Sequence, residues 1–363
     1  MIKKKLLIAT GGTGGHIFPA YSLAKNLMND YTVELIADKR GLNFLKKYKD
    51  LNLIILPSSP LNKKNFFTVL FSILIIIYSI IRSIFFLLLN RPAIVFGMGG
   101  YSSFPICIAA SILKIKFIIY ENNLIIGKAN KYLLPFAKKI FVSYKELEGI
   151  PLNYKNKVIE IGNIIREEII YSNKINEDKN IKGSFKILIL GGSQAAKIFA
   201  EELPQILKKI NDDKIPIKVY QQCQKIQNND LLYFYKENRI ECEVFNFTND
   251  IIDYYLNSDL VITRSGASVL GELINIKIPF ISIPLPTAAD NHQYKNAEFY
   301  FKKGYGYLLE EKFIKTKLFD LIKNILKNKN IIEKVLSSQK LHSDRNTFQN
   351  LRNSLKEILH EKN

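Results

Sequence analysis

The chain has 363 residues, 47% of them hydrophobic, which is enough for about two domains with separate cores. Its formal net charge of +19 suggests an anionic partner, but only eight of its 52 basic residues are Arg. Because specific nucleic-acid readout relies on Arg, we expect no nucleic-acid partner; the charge fits a composition bias and contact with an anionic membrane surface. The three cysteines lack metal-ligand spacing and fit a reducing cytoplasm.

The first predicted strand, 5–9, leads into the glycine-rich stretch GGTGGH and then a helix with Pro19 in its first turn. The spacing does not fit a nucleoside-triphosphatase loop, because no Lys follows His16, nor the dinucleotide fingerprint, whose third glycine is replaced by Ile17. Four glycines in five positions allow a ligand close to backbone N–H groups and the helix start. We therefore predict a polar or anionic ligand here; a tight turn without a ligand is the alternative.

The segment 66–89 has the length and apolar composition of a membrane-spanning helix, and Arg82 is its only charged residue. If the strands on either side belong to one cytoplasmic sheet, the chain must return to the side that it left. We therefore expect helices that pack on the sheet and expose a basic-rimmed apolar patch to the bilayer surface. A true membrane span is the alternative.

Four stretches repeat one pattern, an apolar run followed by a glycine-containing turn and a helical segment. They are KKLLIATGGTGGH, AIVFGMGGYSSF, FKILILGGSQAAKIFAEELPQIL and SDLVITRSGASVLGELINIKIPFISIPL. Strands that alternate with helices predict an α/β fold with doubly wound parallel sheets. We predict two Rossmann-like domains, 1–168 and 180–340, a linker at about 169–184, and a C-terminal helix at 341–363 that joins the first domain. Because ligands bind at the carboxyl ends of parallel strands, the glycine turns of the two facing sheets should surround one cleft.

The second half offers groups for a nucleotide sugar. GGSQAA gives a second close backbone approach, and the helix that begins within TRSGASVLGE is predicted to be capped by Ser265. Glu272 on that helix suits ribose hydroxyls, although a solvated helical Glu is the alternative. The polar cluster at 290–293 suits sugar hydroxyls or an ordinary loop.

In chain order, the motifs GGTGGH, GMGGY, ENN, IGNIIR, GGSQ, RSGASVLGE and HQYKNA resemble those of the MurG-type N-acetylglucosaminyltransferases. The resemblance implies a GT-B fold and an inverting, metal-independent transfer without a cofactor. It implies UDP-N-acetylglucosamine as donor and lipid I, undecaprenyl-pyrophosphoryl-N-acetylmuramoyl-pentapeptide, as acceptor, in peptidoglycan synthesis. The expected location is peripheral, at the cytoplasmic face of the plasma (inner) membrane. The sequence contains no Asp-x-Asp metal motif, which agrees with a metal-independent reaction.

By motif, the resemblance implies His16 as general base, and a neutral imidazole is favoured where the helix dipole disfavours its charged form. It implies contacts of the first glycine turn with the donor sugar and the acceptor diphosphate side, and contacts of the later motifs with the donor. The substrate-binding residues that it implies are Thr13, Gly14, Gly15, Asn123, Arg166, Ser193 (diphosphate), Thr248 (near uracil), Ala267, Ser268, Val269, Leu270, Gly271, Glu272 (ribose) and Gln293 (sugar hydroxyls).

The chain departs from the family pattern at five positions. They are Tyr120 for His, Asn122 for Gln, Ala195 for Gly, Gly271 for Ser and Thr287 for His. Two other classes remain open: a UDP-N-acetylglucosamine 2-epimerase-like isomerase, which needs several cleft carboxylates, and a membrane-bound nucleotide-sugar sensor, which does not need His16. Another UDP-sugar glycolipid synthase is a further alternative.

Overall fold

The structure is a computed structural model that describes residues 3–12, 14–45, 50–59, 65–172, 183–192, 195–248 and 250–360. Two predicted site residues, Thr13 and Ser193, and most of the predicted linker lie outside the described residues. The chain forms two compact units. Unit 1 is Met1–Arg166 with Asp344–Asn363, and unit 2 is Glu167–Ser343.

Unit 1 contains a seven-stranded parallel sheet with the order β3-β2-β1-β4-β5-β6-β7. Its strands are β1 Lys5–Ala9, β2 Thr32–Ala37, β3 Asn52–Ile55, β4 Ile94–Gly97, β5 Phe117–Glu121, β6 Lys139–Val142 and β7 Val158–Glu160. Its helices are α1 Gly14–Leu27, α2 Lys39–Leu45, α3 Phe66–Asn90, α4 Gly100–Ile112, α5 Lys128–Leu133 and, at the end of the chain, α14 Thr347–His360. Central strands β1 and β4 pair in register, Leu7 with Val95. Apart from Lys5 at the start of β1, both strands are apolar, as expected for strands with helices on both faces of the sheet.

Unit 2 contains a six-stranded parallel sheet with the order β10-β9-β8-β11-β12-β13. Its strands are β8 Phe185–Leu190, β9 Ile217–Gln222, β10 Glu241–Phe245, β11 Leu260–Thr263, β12 Phe280–Ser282 and β13 Tyr307–Leu308. Its helices are α6 Glu167–Ile170, α7 Lys197–Asp212, α8 Asn228–Glu237, α9 Ile251–Leu256, α10 Ala267–Ile276, α11 His292–Lys302, α12 Ile314–Lys327 and α13 Lys329–Lys340. In both sheets the strand order reverses beside the first strand, which confirms the two predicted doubly wound, Rossmann-like units.

Helix α3 carries small residues inward and large apolar residues outward. Its buried positions are Ser72, Ser79, Ser83 and Leu87. Each serine hydroxyl donates to the carbonyl four residues earlier, at 2.7 Å, so the serines need no partner outside the helix and allow close packing on α4. The prediction of several helices here was wrong, because a capping box of Asn65 and Thr68 starts one helix that runs unbroken to Asn90.

The outer face of α3 is an exposed apolar surface, as the sequence predicted. Its exposed side chains are Phe66, Phe67, Leu70, Phe71, Ile73, Leu74, Ile77, Tyr78, Ile81, Phe85, Leu88 and Leu89. The helix is long and apolar enough to cross a membrane, with a mean hydropathy of 2.5 over its best 18-residue window, of which 22% is buried. Length and composition alone therefore leave both the surface-bound and the spanning arrangement open.

The C-terminal segment of unit 1 is hydrogen-bonded to the rest of that unit through a buried carboxylate. Asp344 accepts hydrogen bonds of 2.9 Å from both the backbone N–H and the side-chain amide of Asn163. Further along, Arg352 pairs with Asp30 at 3.1 Å. The loop that contains Asn163 leads directly to Arg166, so the end of the chain helps to fix one of the predicted site loops.

Candidate active site

The first glycine turn of unit 1 is shaped by contact with a second glycine turn, the one after β4. Gly11 and Gly12 have φ angles of +153° and +81°, a region that favours glycine. A Cβ at Gly11 would lie only 2.4 Å from Ser102 Oγ. Gly11, one of the glycines predicted for ligand approach, is therefore also required for packing between the two turns.

Asp38, at the carboxyl end of β2, forms hydrogen bonds with residues of both turns. Its buried carboxylate accepts hydrogen bonds from the N–H of Gly12 at 3.2 Å and from the N–H of Gly41 at 2.7 Å. It also accepts from the hydroxyl groups of Tyr101 at 2.7 Å and Ser102 at 3.1 Å. Asp38 was not predicted from the sequence; the available signal was an acidic residue directly after the second strand of a Rossmann-like unit.

His16 lies in the first turn of α1, with its ring against the second glycine turn. A Cβ at Gly100 would lie 3.3 Å from His16 Cδ2 and 3.4 Å from Nε2, and a Cβ at Gly99 would lie 3.4 Å from Cε1. The backbone carbonyl of His16 accepts a hydrogen bond from Thr10 Oγ1 at 2.9 Å. Glycines at 99 and 100 thus leave room for the imidazole, which is half-buried at the carboxyl edge of the sheet.

The prediction that Pro19 lies in the first helical turn was wrong, because α1 already begins at Gly14. A proline at that position has no N–H for the carbonyl of Gly15. Asn122 Nδ2 donates to that carbonyl at 3.4 Å. Gly14 and Gly15 are predicted substrate contacts, and Asn122 therefore helps to fix the backbone that carries them.

Asn123 is held by Glu121, which is buried at the end of β5. Glu121 Oε1 accepts from the side-chain amide of Asn123 at 2.8 Å and from its backbone N–H at 3.1 Å. Glu121 Oε2 accepts from the backbone N–H of Gly127 at 2.8 Å and from Asn130 Nδ2 at 3.0 Å. Glu121 is part of the motif ENN but was not predicted to have a role. Its carboxylate orients the predicted donor contact Asn123.

Arg166 and α1 meet within unit 1, since the guanidinium of Arg166 lies 4.4 Å from the ring centroid of Phe18. The loop before Arg166 is fixed by Tyr120, whose hydroxyl accepts the N–H of Ile164 at 3.0 Å and lies 2.9 Å from Ser143 Oγ. Tyr120 is 2% exposed, and burial raises its pKa well above the usual range. At this departure from the family pattern, the tyrosine thus holds the loop that leads to Arg166.

In unit 2, Gln222 joins two of the predicted donor loops. Its Oε1 accepts the N–H of Gly191 at 3.1 Å, and its Nε2 donates to the carbonyl of Asn246 at 3.2 Å. Thr248 follows in the second loop, where its hydroxyl accepts the N–H of Asp250 at 3.0 Å. Gln222 was missed because it lies on a strand, far in sequence from both loops.

Ala195 has a φ of +47°, in the left-handed region where an L side chain is disfavoured. Its N–H donates to the carbonyl of Gly192 at 3.0 Å, which closes the turn before α7. Gly191 has no room for a side chain, since a Cβ there would lie 2.0 Å from the backbone nitrogen of Ala196. The turn thus carries an alanine where its geometry favours glycine.

Glu272 is 5% exposed, so the alternative of a solvated helical glutamate was wrong. Its Oε2 accepts a hydrogen bond of 3.0 Å from the hydroxyl of Tyr255 on α9. The predicted cap at Ser265 was also wrong: Gly266 is the N-cap of α10, with no side-chain cap hydrogen bond. The buried Ser265 Oγ has no hydrogen-bond partner among the described residues.

The other predicted substrate contacts on α10 include both buried and half-buried residues. The side chains of Ala267 and Leu270 are buried, and Gly271 has none, so these residues can meet a ligand mainly through the backbone. Ser268 and Val269 are half-buried. The first amide groups of a helix face outward and suit anionic or polar ligands.

Gln293 lies near the start of α11, where its Oε1 accepts the N–H of Leu285 at 3.0 Å. The amide nitrogen is thus the end of this side chain that is suited to donate to a sugar hydroxyl. Buried Arg264 fixes the same loop, because its guanidinium donates to the carbonyls of Ile283 and Pro284, each at 3.3 Å, and pairs with Glu311. Thr287, another departure from the family pattern, is exposed.

Among the residues that the structure describes, no group of three or more His, Cys, Asp or Glu side chains could hold a metal ion. Both units instead present glycine turns, helix starts and amide or hydroxyl groups at the carboxyl ends of their strands.

Family models for two domains match the chain. The glycosyltransferase family 28 N-terminal domain matches residues 6–142, and the C-terminal domain of the same family matches residues 186–354. The chain belongs to glycosyltransferase family 28. The first match lies in unit 1 and ends before the loop of Arg166, whereas the second covers most of unit 2 and continues into the C-terminal segment.

Family relatives align over nearly the whole chain. Two of them, from Pelagibacter ubique and Rickettsia bellii, are named UDP-N-acetylglucosamine–N-acetylmuramyl-(pentapeptide) pyrophosphoryl-undecaprenol N-acetylglucosamine transferase. The first is 36% identical, with 99% of this chain and 100% of the relative covered. The second is 35% identical, with 94% and 98% covered. The resemblance to MurG-type enzymes is confirmed.

Solved structures agree on the fold. A crystal structure of MurG from Acinetobacter baumannii has a TM-score of 0.76 at 23% identity, covering 98% of this chain and 99% of that one. A UDP-N-acetylglucosamine 2-epimerase has a TM-score of 0.68 at 14% identity, covering 100% and 98%. The GT-B fold is therefore confirmed, and it is shared by enzymes of different activity.

Proposed function

We propose that this chain transfers N-acetylglucosamine from UDP-N-acetylglucosamine to undecaprenyl-pyrophosphoryl-N-acetylmuramoyl-pentapeptide, with inversion at the anomeric carbon. This is the conversion of lipid I to lipid II in peptidoglycan synthesis. The observation that carries the proposal is the alignment, over 99% of this chain, of a 36% identical relative that is named for this transfer. The two family 28 domains support a glycosyltransferase independently of that name.

Unit 2 would hold the donor. The geometry that supports this role is the buried Glu272 carboxylate, oriented by Tyr255. It lies on α10, and the first backbone amide groups of a helix suit an anionic or polar ligand. A ribose hydroxyl can donate to that carboxylate, while the turn at Gly191 and Gly192 suits the diphosphate. Gln293 Nε2 would donate to the sugar, and Thr248 would lie near the uracil.

Unit 1 would bring the acceptor and the base. As the acceptor hydroxyl attacks the anomeric carbon, it must lose a proton, which a neutral imidazole of His16 can accept. Positioned general bases of this kind contribute typically about 10²–10⁴-fold in rate. Gly14, Gly15, Asn123 and Arg166 would line the substrate side of this unit.

The reaction would need no metal ion. The leaving UDP can be stabilised by backbone N–H groups and a helix start, which place positive partial charge beside the diphosphate. The glycine turn at Gly191 and Gly192 and the start of α10 are suited to that role.

Unit 1 would lie on the anionic cytoplasmic face of the plasma membrane, where a lipid-linked acceptor is found. What supports this location is the outer face of α3, because so many adjacent large apolar side chains are rarely left to water. The net charge of +19 adds attraction to anionic lipid.

The test is transfer of labelled N-acetylglucosamine from the UDP donor to a water-soluble, short-chain analogue of lipid I, with a metal chelator present. We expect an acceptor-dependent disaccharide product with β configuration. If the UDP-sugar is epimerised and no acceptor is consumed, the transfer is excluded and an isomerase activity is indicated instead. An epimerase shares the fold of this chain. Loss of transfer on chelation would overturn metal independence.

A further inference from the structure

The proposed donor site uses two segments of unit 2 that follow strands which are not neighbours in the sheet. We call residues 191–192 the diphosphate turn and residues 246–248 the uracil loop, after the groups that the proposed function assigns to them. The turn follows β8, the loop follows β10, and β9 lies between these strands. The two segments therefore begin two strand spacings apart, about 9–10 Å. Since the hydrogen bonds of a sheet link only adjacent strands, another group must set this distance.

Gln222, the last residue of β9, contacts both segments through one side-chain amide. Its Oε1 accepts the N–H of Gly191 at 3.1 Å, and its Nε2 donates to the carbonyl of Asn246 at 3.2 Å. One partner needs an acceptor and the other needs a donor, so only one orientation of the amide satisfies both. Because Gln222 is buried, water cannot readily replace either hydrogen bond. This side chain therefore fixes the distance between the diphosphate turn and the uracil loop.

Asn246, the first residue of the uracil loop, is anchored by further hydrogen bonds. Its Nδ2 donates to the carbonyl of Cys223 at 3.0 Å and to Asn228 Oδ1 at 2.7 Å. Asn228 Nδ2 donates back to Asn246 Oδ1 at 3.3 Å, so the two side-chain amides form a reciprocal pair. The buried thiol of Cys223 donates to the same Asn228 oxygen at 3.0 Å. Burial raises the pKa of this thiol, so it keeps the donated proton at neutral pH.

The preceding residue, Gln221, has a different set of partners, because successive side chains of a strand point to opposite faces of the sheet. Its Nε2 donates to the carbonyl of Phe199 at 3.3 Å, and its Oε1 accepts from the hydroxyl of Tyr235. Both partners belong to the hydrophobic core of unit 2. Two adjacent buried glutamines of β9 thus bind different parts of the unit: Gln221 binds the core, and Gln222 binds the two donor segments.

We propose that Gln222 and Asn246 are positioning residues for the donor. They hold the diphosphate turn and the uracil loop at the spacing at which one UDP group contacts both. The inference rests on the proposed function, which assigns these two segments to the diphosphate and the uracil. A ligand that spans two subsites gains affinity only when their separation matches its own length. A loop that is already ordered also avoids the entropic cost of being ordered on binding.

The test compares the affinities of the full chain for UDP and for uridine, measured by titration calorimetry. The variant is Gln222→Met, which keeps the length of the side chain and removes both hydrogen bonds. The matched control is Gln221→Met, the same change at the adjacent buried position of β9. The free energy of unfolding and the rate of transfer to the short-chain acceptor are measured for every protein.

We expect Gln222→Met to lose about tenfold or more in UDP affinity but less than about threefold in uridine affinity, because uridine does not reach the diphosphate turn. Gln221→Met should lower the free energy of unfolding and leave both affinities unchanged. In the transfer assay, Gln222→Met should raise KM for the UDP donor about tenfold and leave KM for the acceptor unchanged. A loss of folded protein alone would lower the apparent kcat and change neither KM.

Equal losses of UDP and uridine affinity in Gln222→Met would overturn the proposal, because the uracil loop itself would then be disrupted. Unchanged UDP affinity would also overturn it, and so would an equal loss of UDP affinity in Gln221→Met. Failure of the proposed function is seen separately. A wild type that binds UDP but transfers no sugar contradicts the transfer alone, whereas a wild type that does not bind UDP contradicts both.

Discussion

The hydroxyl of Tyr255 donates a hydrogen bond of 3.0 Å to Oε2 of Glu272, and both residues are buried in unit 2. The bond holds one carboxylate oxygen and so fixes the orientation of the other. If Glu272 binds the ribose, its affinity for UDP depends on a residue that is not itself predicted to contact the ligand.

We predict that Tyr255→Phe weakens UDP binding by about 3–10-fold, since one hydrogen bond to a charged group is lost. Glu272→Gln should weaken it further. Titration calorimetry with UDP measures both effects. Tyr254→Phe is the matched control, because its hydroxyl pairs with Glu243 at an exposed site. Equal UDP affinity in wild type and in Glu272→Gln would remove Glu272 from the donor site.

Ala195→Gly should stabilise unit 2. The left-handed φ of Ala195 is disfavoured for an L side chain, so glycine should raise the free energy of unfolding by about 0.5–1 kcal/mol. Ala200→Gly, inside α7, should lower it by about 1 kcal/mol. Urea denaturation compares the two. A less stable Ala195→Gly protein would show that this turn does not favour glycine.

Tyr120→Phe should destabilise unit 1. The change leaves the N–H of Ile164 without its partner, at a cost of about 1–3 kcal/mol. Tyr132→Phe, at an exposed position, should have little effect. Because the pKa of Tyr120 is raised on folding, the folded wild type holds this phenolic proton more tightly than the unfolded chain does.

This contribution of Tyr120 is complete below the unfolded pKa and is lost as the pH rises above about 10. Wild type should therefore lose more stability than Tyr120→Phe between neutral and strongly alkaline pH. Chemical denaturation at a series of pH values measures the difference. Parallel pH curves for the two proteins would contradict the burial of this hydroxyl.

The two faces of α3 should respond in opposite ways. Ile77→Ser with Ile81→Ser, on the outer face, should weaken vesicle binding and leave the melting temperature nearly unchanged. Ser83→Leu, at a buried position on the inner face, should lower the free energy of unfolding by about 1–3 kcal/mol because a larger side chain must enter a packed region. Destabilisation by the outer-face variant would mean that this face is packed against protein.

The repeated strand–turn–helix pattern was sufficient to predict both sheets. Local sequence also located the glycine turns, His16 and the long apolar helix, because these features depend on neighbouring residues. It could not show Asp38, Gln222 or Tyr255, which act through hydrogen bonds to residues distant in sequence. Glu121 differs, because its partners Asn123, Gly127 and Asn130 are near in sequence. The cap at Ser265 failed for a local reason: Gly266 takes the N-cap position, and the serine side chain is buried instead.

The most direct measurement is the rate of sugar transfer to the short-chain acceptor for wild type, His16→Ala and Glu272→Ala, with UDP affinity measured on the same preparations. We predict acceptor-dependent transfer by wild type. His16→Ala should retain UDP affinity and lose about 10²-fold or more in turnover, whereas Glu272→Ala should lose UDP affinity. A wild-type protein that binds UDP without transferring sugar, or a His16→Ala protein with full turnover, would contradict the account.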